Sequence, residues 1–195
     1  MVPVFTKRLM SEEEYFELLE KSGERLEYWD GVVEEMAGGD DEHYAIESQL
    51  FGEFFVRLKG SNCSAMTTNQ AIYIASRKAV VFADMSVVCG PKENVAQRGI
   101  SCLTNPSVVV EVLSPSTSMK DESDKFHAYT TLKSVREYLQ VFADRYCVKL
   151  HERSNGDEIW KTSIFQDLDA EFELKSWGVR LNVRDVYGPR VVFEA

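Results

Sequence analysis

A mixed α/β (α+β) fold, a central mixed β-sheet flanked by helices, is what this sequence predicts. Its elements alternate along the chain as helix, hairpin, helix, strands, helix, strands. The run from Pro106 to Leu113 carries Val108, Val109 and Val110 in succession, the mark of a strand buried on both faces. Length and composition agree: 195 residues, 44% hydrophobic and 28% charged, suffice for one well-buried core. Residues 1–195 are read as a single domain, with 154–195 as its β-rich C-terminal extension.

Taken in order, Ser11-Glu-Glu-Glu14 is a capping box, and the helix it opens runs to about Lys21 before Gly23. Arg25–Trp29 and Val32–Ala37 read as two strands of a hairpin turned at Asp30-Gly31. Asp40 and Asp41 precede a second helix over about 42–59, with Ile46, Leu50, Phe54 and Leu58 on its buried face. Short strands follow at 64–68 and 70–75, then a longer one at 79–88 that Gly90-Pro91 ends. Residues 92–105 read as a mobile polar loop. The valine strand comes next, then a helix at 121–132 and a strand at 135–143. A hairpin joins 146–153 to 158–165, and a turn or small helix falls near 183–187.

No apolar run approaches the roughly 18 residues that a membrane span requires. Residues 1–8 lack the apolar region of a signal peptide, so the expected compartment is the cytoplasm, with no membrane partner. Cys63, Cys89, Cys102 and Cys147 are widely spaced with no C-x-x-C pair, and are expected to be reduced thiols. The first 60 residues hold 15 acidic and 6 basic side chains, the remainder 17 and 16, so nearly all of the −10 net charge precedes residue 61. That imbalance argues against tight non-specific nucleic-acid binding, which needs a basic footprint.

Two acids interrupt apolar strands. Asp84 lies within 79–88, and Glu111 lies between Val110 and Val112, 27 residues later. A buried carboxylate needs a cation, a metal or a proton. If the two strands are neighbours, both carboxylates meet at one edge of the sheet, and such a pair cannot stay ionised without counter-charge. Mg²⁺ or Mn²⁺ suits hard oxygen ligands of this kind. Asp121, Lys125 and Tyr129 recur at i, i+4 and i+8, one face of the following helix, which makes Lys125 the cation nearest to hand.

Glu27 before Asp30-Gly31, Met36-Ala-Gly-Gly39 before His43, Asp84, Glu111-Val-Leu-Ser-Pro-Ser-Thr117, then Asp121, Lys125, Tyr129 and Glu137-Tyr138 fall in one order. That order resembles the Uma family of putative restriction endonucleases, a branch of the PD-(D/E)XK nuclease superfamily. The resemblance spans about residues 11–153. It implies a restriction-endonuclease-like core and a Mg²⁺-dependent endonuclease, most naturally on DNA, working as a homodimer. Asp84 and Glu111 would be catalytic metal ligands, with the backbone carbonyl of Val112 completing the set. The superfamily's lysine falls two residues after the acid, where this chain has Leu113, so Lys125 is the replacement. Glu27 and His43 match further positions by the pocket, with Tyr129 and Asp121 beside them. Ala83 stands where a proline usually precedes the first acid.

Each nominee also has a plain structural reading. Asp84 could end a strand, and Glu111 could pair with Lys125 or Arg136. Asp121 and Lys125 could form an ordinary surface pair, worth a few tenths of a kcal/mol. His43 could be a first-turn helix residue, Glu27 an exposed strand residue and Tyr129 a core aromatic. The functional alternative is a binding module on the same fold that has lost catalysis.

Overall fold

The computed structural model describes residues 9–36, 38–114, 121–154 and 158–193. Two six-stranded mixed sheets and a small hairpin carry the architecture. Helix α1 (Glu12–Ser22) opens with the predicted capping box and ends at Gly23 in the left-handed region, φ 65°. Strands β1 (Leu26–Trp29) and β2 (Val32–Glu35) pair around Asp30-Gly31, both with positive φ. Helix α2 (Asp41–Arg57) is capped by Asp40, whose carboxylate accepts the His43 N–H. Strands β3 (Cys63–Thr67), β4 (Ala71–Ile74), β5 (Ala79–Phe82) and β6 (Met85–Cys89) follow, with a 3₁₀ turn at Ala75–Arg77. Next come β7 (Asn94–Gln97), β8 (Ile100–Leu103) and β9 (Val108–Leu113). A π-type turn, Asp121–Lys125, leads into the single α turn α3 (Phe126–Tyr129). Strands β10 (Glu137–Phe142), β11 (Val148–Glu152), β12 (Lys161–Phe165), β13 (Glu171–Leu174) and β14 (Val179–Asn182) precede helix α4 (Val183–Tyr187).

The first sheet runs β2-β1-β5-β4-β8-β7 and the second β12-β11-β10-β9-β6-β3. Their facing sides share one apolar layer, in which Ile72, Ile74 and Val81 of the first meet Val88, Val109 and Tyr138 of the second, with Ala128 and Tyr129 of α3. Tyr15, Phe16 and Leu19 of α1 cover the outer face of the first sheet. The outer face of the second takes Ile46, Leu50 and Phe54 of α2, with Phe172, Leu174 and Leu181 of β13 and β14. The C-terminal segment thus covers a sheet face and belongs to the main core.

Three expectations change here. The stretch 79–88 is two strands, because the chain leaves the first sheet after Phe82 and enters the second at Met85, with Asp84 at the crossing. Residues 92–105 are a paired hairpin, β7–β8, turned at Arg98 and Gly99 with φ 49° and 80°. The helix expected over 121–132 is a widened turn plus one α turn, followed by Thr130.

The cysteines supply a fourth correction. Cys63 and Cys89 lie directly opposite in the β3–β6 ladder and are disulfide-bonded, 26 residues apart in sequence. Spacing hides this, because the pairing depends on strand register. Cys102 and Cys147 are buried free thiols, and burial pushes Cys102 up to about 11. Closing a loop of this length is worth up to about 3.5 kcal/mol through the unfolded state. Urea unfolding with and without reductant should show a loss of that order, matched by Cys63→Ser/Cys89→Ser. An unchanged midpoint would remove the disulfide's stabilising role.

Candidate active site

The site forms where the two sheets exchange chain. The β6–β9 ladder ends with Met85 opposite Val110, so Asp84 lies one step on, beside Glu111. Both strands are interior in the second sheet, so Asp84, just before β6, and Glu111, within β9, meet where the β6–β9 ladder ends and not at a sheet edge. At the crossing a carboxylate replaces backbone: Asp84 Oδ2 accepts the Val112 N–H at 2.7 Å, in a buried hydrogen bond. This fixes Asp84 against the residue that follows Glu111. The Val112 side chain itself points into the core under α2.

Glu111 is 2% exposed and faces the layer between the sheets. Tyr129 donates its hydroxyl to Oε1 at 2.8 Å, and Lys125 Nζ lies 3.2 Å from the same oxygen. Lys125, 5% exposed, also lies 3.1 Å from Glu27 Oε1, so one ammonium sits between two buried carboxylates. Glu27 is held in turn by the Phe82 N–H at 3.1 Å and by the Trp29 indole N–H at 3.3 Å. The widened turn brings Lys125 and Tyr129 to one carboxylate, and such irregular turns gather at functional sites. Burial and the neighbouring Glu111 charge hold the Tyr129 phenol well above its ordinary value, so it serves as a hydrogen-bond donor. Leu113, in the superfamily's lysine position, packs with Phe142 and Cys147, and Lys125 brings the ammonium from the helix side.

His43 approaches from the first turn of α2, with Nε2 3.5 Å from Asp84 Oδ1. Gly39 leaves room for it: a Cβ there would lie 2.5 Å from the imidazole Cγ. Burial pulls the His43 pKa down, but the Asp84 hydrogen bond and the charges of Asp84, Glu47 and Asp40 outweigh it, and the net shift is upward. Glu47, one turn further along α2, is raised by burial and by Asp84. The sequence did not single it out, though its i+4 spacing from His43 places both on one helix face. Asp121 opens the π turn, and its side chain lies outside the described residues. The Pro115–Thr117 part of the motif lies outside them too.

Among the described residues, no group of three or more His, Cys, Asp or Glu side chains is placed to hold a metal ion. Asp84 and Glu111 remain two hard-oxygen carboxylates at neighbouring positions of adjacent strands. Mg²⁺ commonly binds through one or two carboxylates and keeps several waters. Asp84 Oδ1 lies beside His43, and Glu111 beside Lys125 and Tyr129, so the two acids match that mode in ligand type and form no closed protein cage.

Arg153 is a residue that sequence reasoning missed. Its Nε donates to the Val135 carbonyl at 2.9 Å, one terminal nitrogen to Thr130 at 3.2 Å and the other to Leu132. The guanidinium also stacks on Trp160, 4.8 Å from the ring centre. One side chain just after β11 therefore fixes the segment that follows Lys125 and Tyr129. Arg153→Ala should free those carbonyls, at about 1–3 kcal/mol, and speed hydrogen exchange across 126–135. Arg153→Lys should not restore protection, since an ammonium lacks the planar fork. Exchange left unchanged in both variants would remove the positioning role.

Of the basic residues around the site, Lys125 is in the cluster, while Arg77 and Lys78 line a groove beside Trp29. Arg136 lines a different cavity, with Glu137 and Lys175. Lys133 is exposed, and Lys120 lies outside the described residues.

This fold, with Asp84 at the crossing between the sheets, Glu111 opposite it in β9 and a buried lysine against Glu111, is that of a restriction-endonuclease-like nuclease. The family model "Uma2: Putative restriction endonuclease" matches residues 12–184, and the chain belongs to that family. An uncharacterized protein of Synechocystis, slr1290, is 33% identical over 178 residues, covering 91% of each chain. A second Synechocystis protein, sll1609, is 25% identical over 89% of this chain and 97% of its own. The crystal structure of a putative nuclease belonging to DUF820 from Anabaena variabilis superposes with a TM-score of 0.73 at 18% identity. It covers 91% of this chain and 97% of its own, a likeness of fold.

Proposed function

We propose that this protein is a metal-dependent endonuclease that hydrolyses phosphodiester bonds, with DNA as substrate. The observation that carries the reading is Lys125, buried between Glu27 and Glu111, with Asp84 one ladder step from Glu111. A helix-borne ammonium and strand-end carboxylates bring opposite charges into one low-dielectric site, where they act strongly on a developing charge. Bound Mg²⁺ or Mn²⁺ would supply Lewis acidity and a water of lowered pKa. Asp84, Glu111 and the Val112 carbonyl would hold it. Asp84 is held in place by the Val112 N–H and Glu111 by the Tyr129 hydroxyl. Lys125 would steady charge on the phosphate oxygens or orient the attacking water. Glu27 keeps Lys125 in place and His43 borders Asp84 from α2.

On this reading the protein works in the cytoplasm, and a homodimer builds the nucleic-acid groove that a chain of net charge −10 does not provide alone. The test is cleavage of supercoiled plasmid and of end-labelled single- and double-stranded oligonucleotides, with Mg²⁺ or Mn²⁺ against a chelator. Metal-dependent cleavage is expected. No cleavage of DNA or RNA with either metal would overturn the enzyme reading. The second reading is a binding module without catalysis. What favours it is the absence of a three-ligand metal group among the described residues.

A further inference from the structure

A groove of about 680 Å³ lies beside the ion cluster, within the roughly 300–1,000 Å³ typical of ligand sites. It runs between the β1–β2 turn, the 3₁₀ turn and α3. Its aromatic member is Trp29, half-buried, whose indole N–H is held by Glu27 Oε2. Ser76, Arg77 and Lys78 form one side, all exposed. Asp124 and His127, which flank Lys125 in the chain, form the other. Trp29 therefore connects this groove to Glu111 through Glu27 and Lys125.

The charges say what kind of occupant fits. Lys78 is paired with Asp30 at 3.0 Å, and Glu34 and Asp124 add further negative charge. A duplex backbone, with phosphates closely spaced on both strands, would meet these acids and gain little. A single unstacked nucleotide asks for less: one aromatic face for the base and one cation for the phosphate. Trp29 offers the first and Arg77 the second, the pairing that single-strand binding proteins use.

Resting on the nuclease reading above, we infer that the Trp29–Arg77 groove is a subsite for a single-stranded nucleotide flanking the bond to be cut. The enzyme then acts on strands that are open, or locally opened, at that position.

The test separates binding from chemistry by using the Glu111→Gln variant, which is not expected to cut. Fluorescence anisotropy would follow a labelled dT oligonucleotide and a hairpin duplex of equal length. The single strand should bind tighter. Trp29→Leu should weaken it about tenfold or more, and Trp29→Phe, which keeps an aromatic face, by less. Arg77→Gln, which touches no member of the ion cluster, should lower the salt dependence by about 0.7 in log–log slope. Equal affinity for duplex and single strand, or single-strand binding unmoved by Trp29→Leu and Arg77→Gln, overturns the subsite. If the native chain cuts nothing while Trp29-dependent binding persists, the catalytic reading falls and the subsite stands. If it cuts and Trp29→Leu and Arg77→Gln leave KM unchanged, the subsite falls and the catalytic reading stands.

Discussion

Lys125→Met is expected to lose stability and cleavage together, and a second substitution should separate the two losses. The ammonium lies 3.1 Å from Glu27 and 3.2 Å from Glu111, and all three side chains are buried. Removing it leaves two carboxylates facing each other without a counter-charge. Breaking a buried ion pair in this way costs about 3–5 kcal/mol. Cleavage should fall about 10²–10³-fold, the usual effect of removing one electrostatic stabiliser of a transition state. Lys125→Met/Glu27→Gln removes one of the stranded charges, so its urea midpoint should recover most of the loss. Its cleavage should not recover, because no ammonium has returned. Mn²⁺ affinity should be retained in both variants. If either variant cuts at the native rate, Lys125 is a structural cation and the lysine role proposed for it is wrong.

How far the sequence reached is best judged on particular residues. Asp84, Glu111 and Lys125 stood out because charge among valines has few structural excuses, and Lys125 with Tyr129 shared a helical face. The Ser11 capping box and Asp30-Gly31 were legible because they encode local backbone geometry, which the structure reproduces. The double sheet was not legible. Leu26, Glu27 and Tyr28 are all buried, as are all four residues of β5, so the period-two alternation that marks a half-exposed strand is absent. The crossing at Asp84 therefore read as one long strand. The Cys63–Cys89 bond, the β7–β8 hairpin and the Arg153 clamp depend on contacts distant in sequence, and no local pattern announces them. Glu27 and Trp29 share a second cause. Glu27 takes its role from Phe82 and Lys125, 55 and 98 residues beyond it, and Trp29 takes its role from Glu27.

The neutral variants Asp84→Asn and Glu111→Gln should abolish metal binding while leaving the fold largely intact. An asparagine carbonyl can still accept the Val112 N–H, and a glutamine carbonyl the Tyr129 hydroxyl, so each keeps the hydrogen bond that positions it. What each removes is charge, and two carboxylates are most of what this site offers a divalent cation. Calorimetric titration with Mn²⁺ should show binding to the native chain and none to either variant. The His43 titration, followed by NMR, gives a readout independent of metal. In the native chain burial lowers that pKa, but Asp84, Glu47 and Asp40 raise it further than burial lowers it. Asp84→Asn removes both the hydrogen-bonded partner and the nearest charge, so the imidazole pKa should fall. The stability that goes with it has a definite sign. A raised folded-state pKa stabilises the protonated form, so the contribution is full below about pH 6.5 and fades as pH rises through the folded value. Asp84→Asn should flatten that dependence, whereas Glu111→Gln, which faces Lys125 and Tyr129, should leave it in place. Mn²⁺ bound equally by native and Asp84→Asn protein would place the metal elsewhere. A His43 pKa unmoved by Asp84→Asn would mean that the 3.5 Å contact carries no charge coupling.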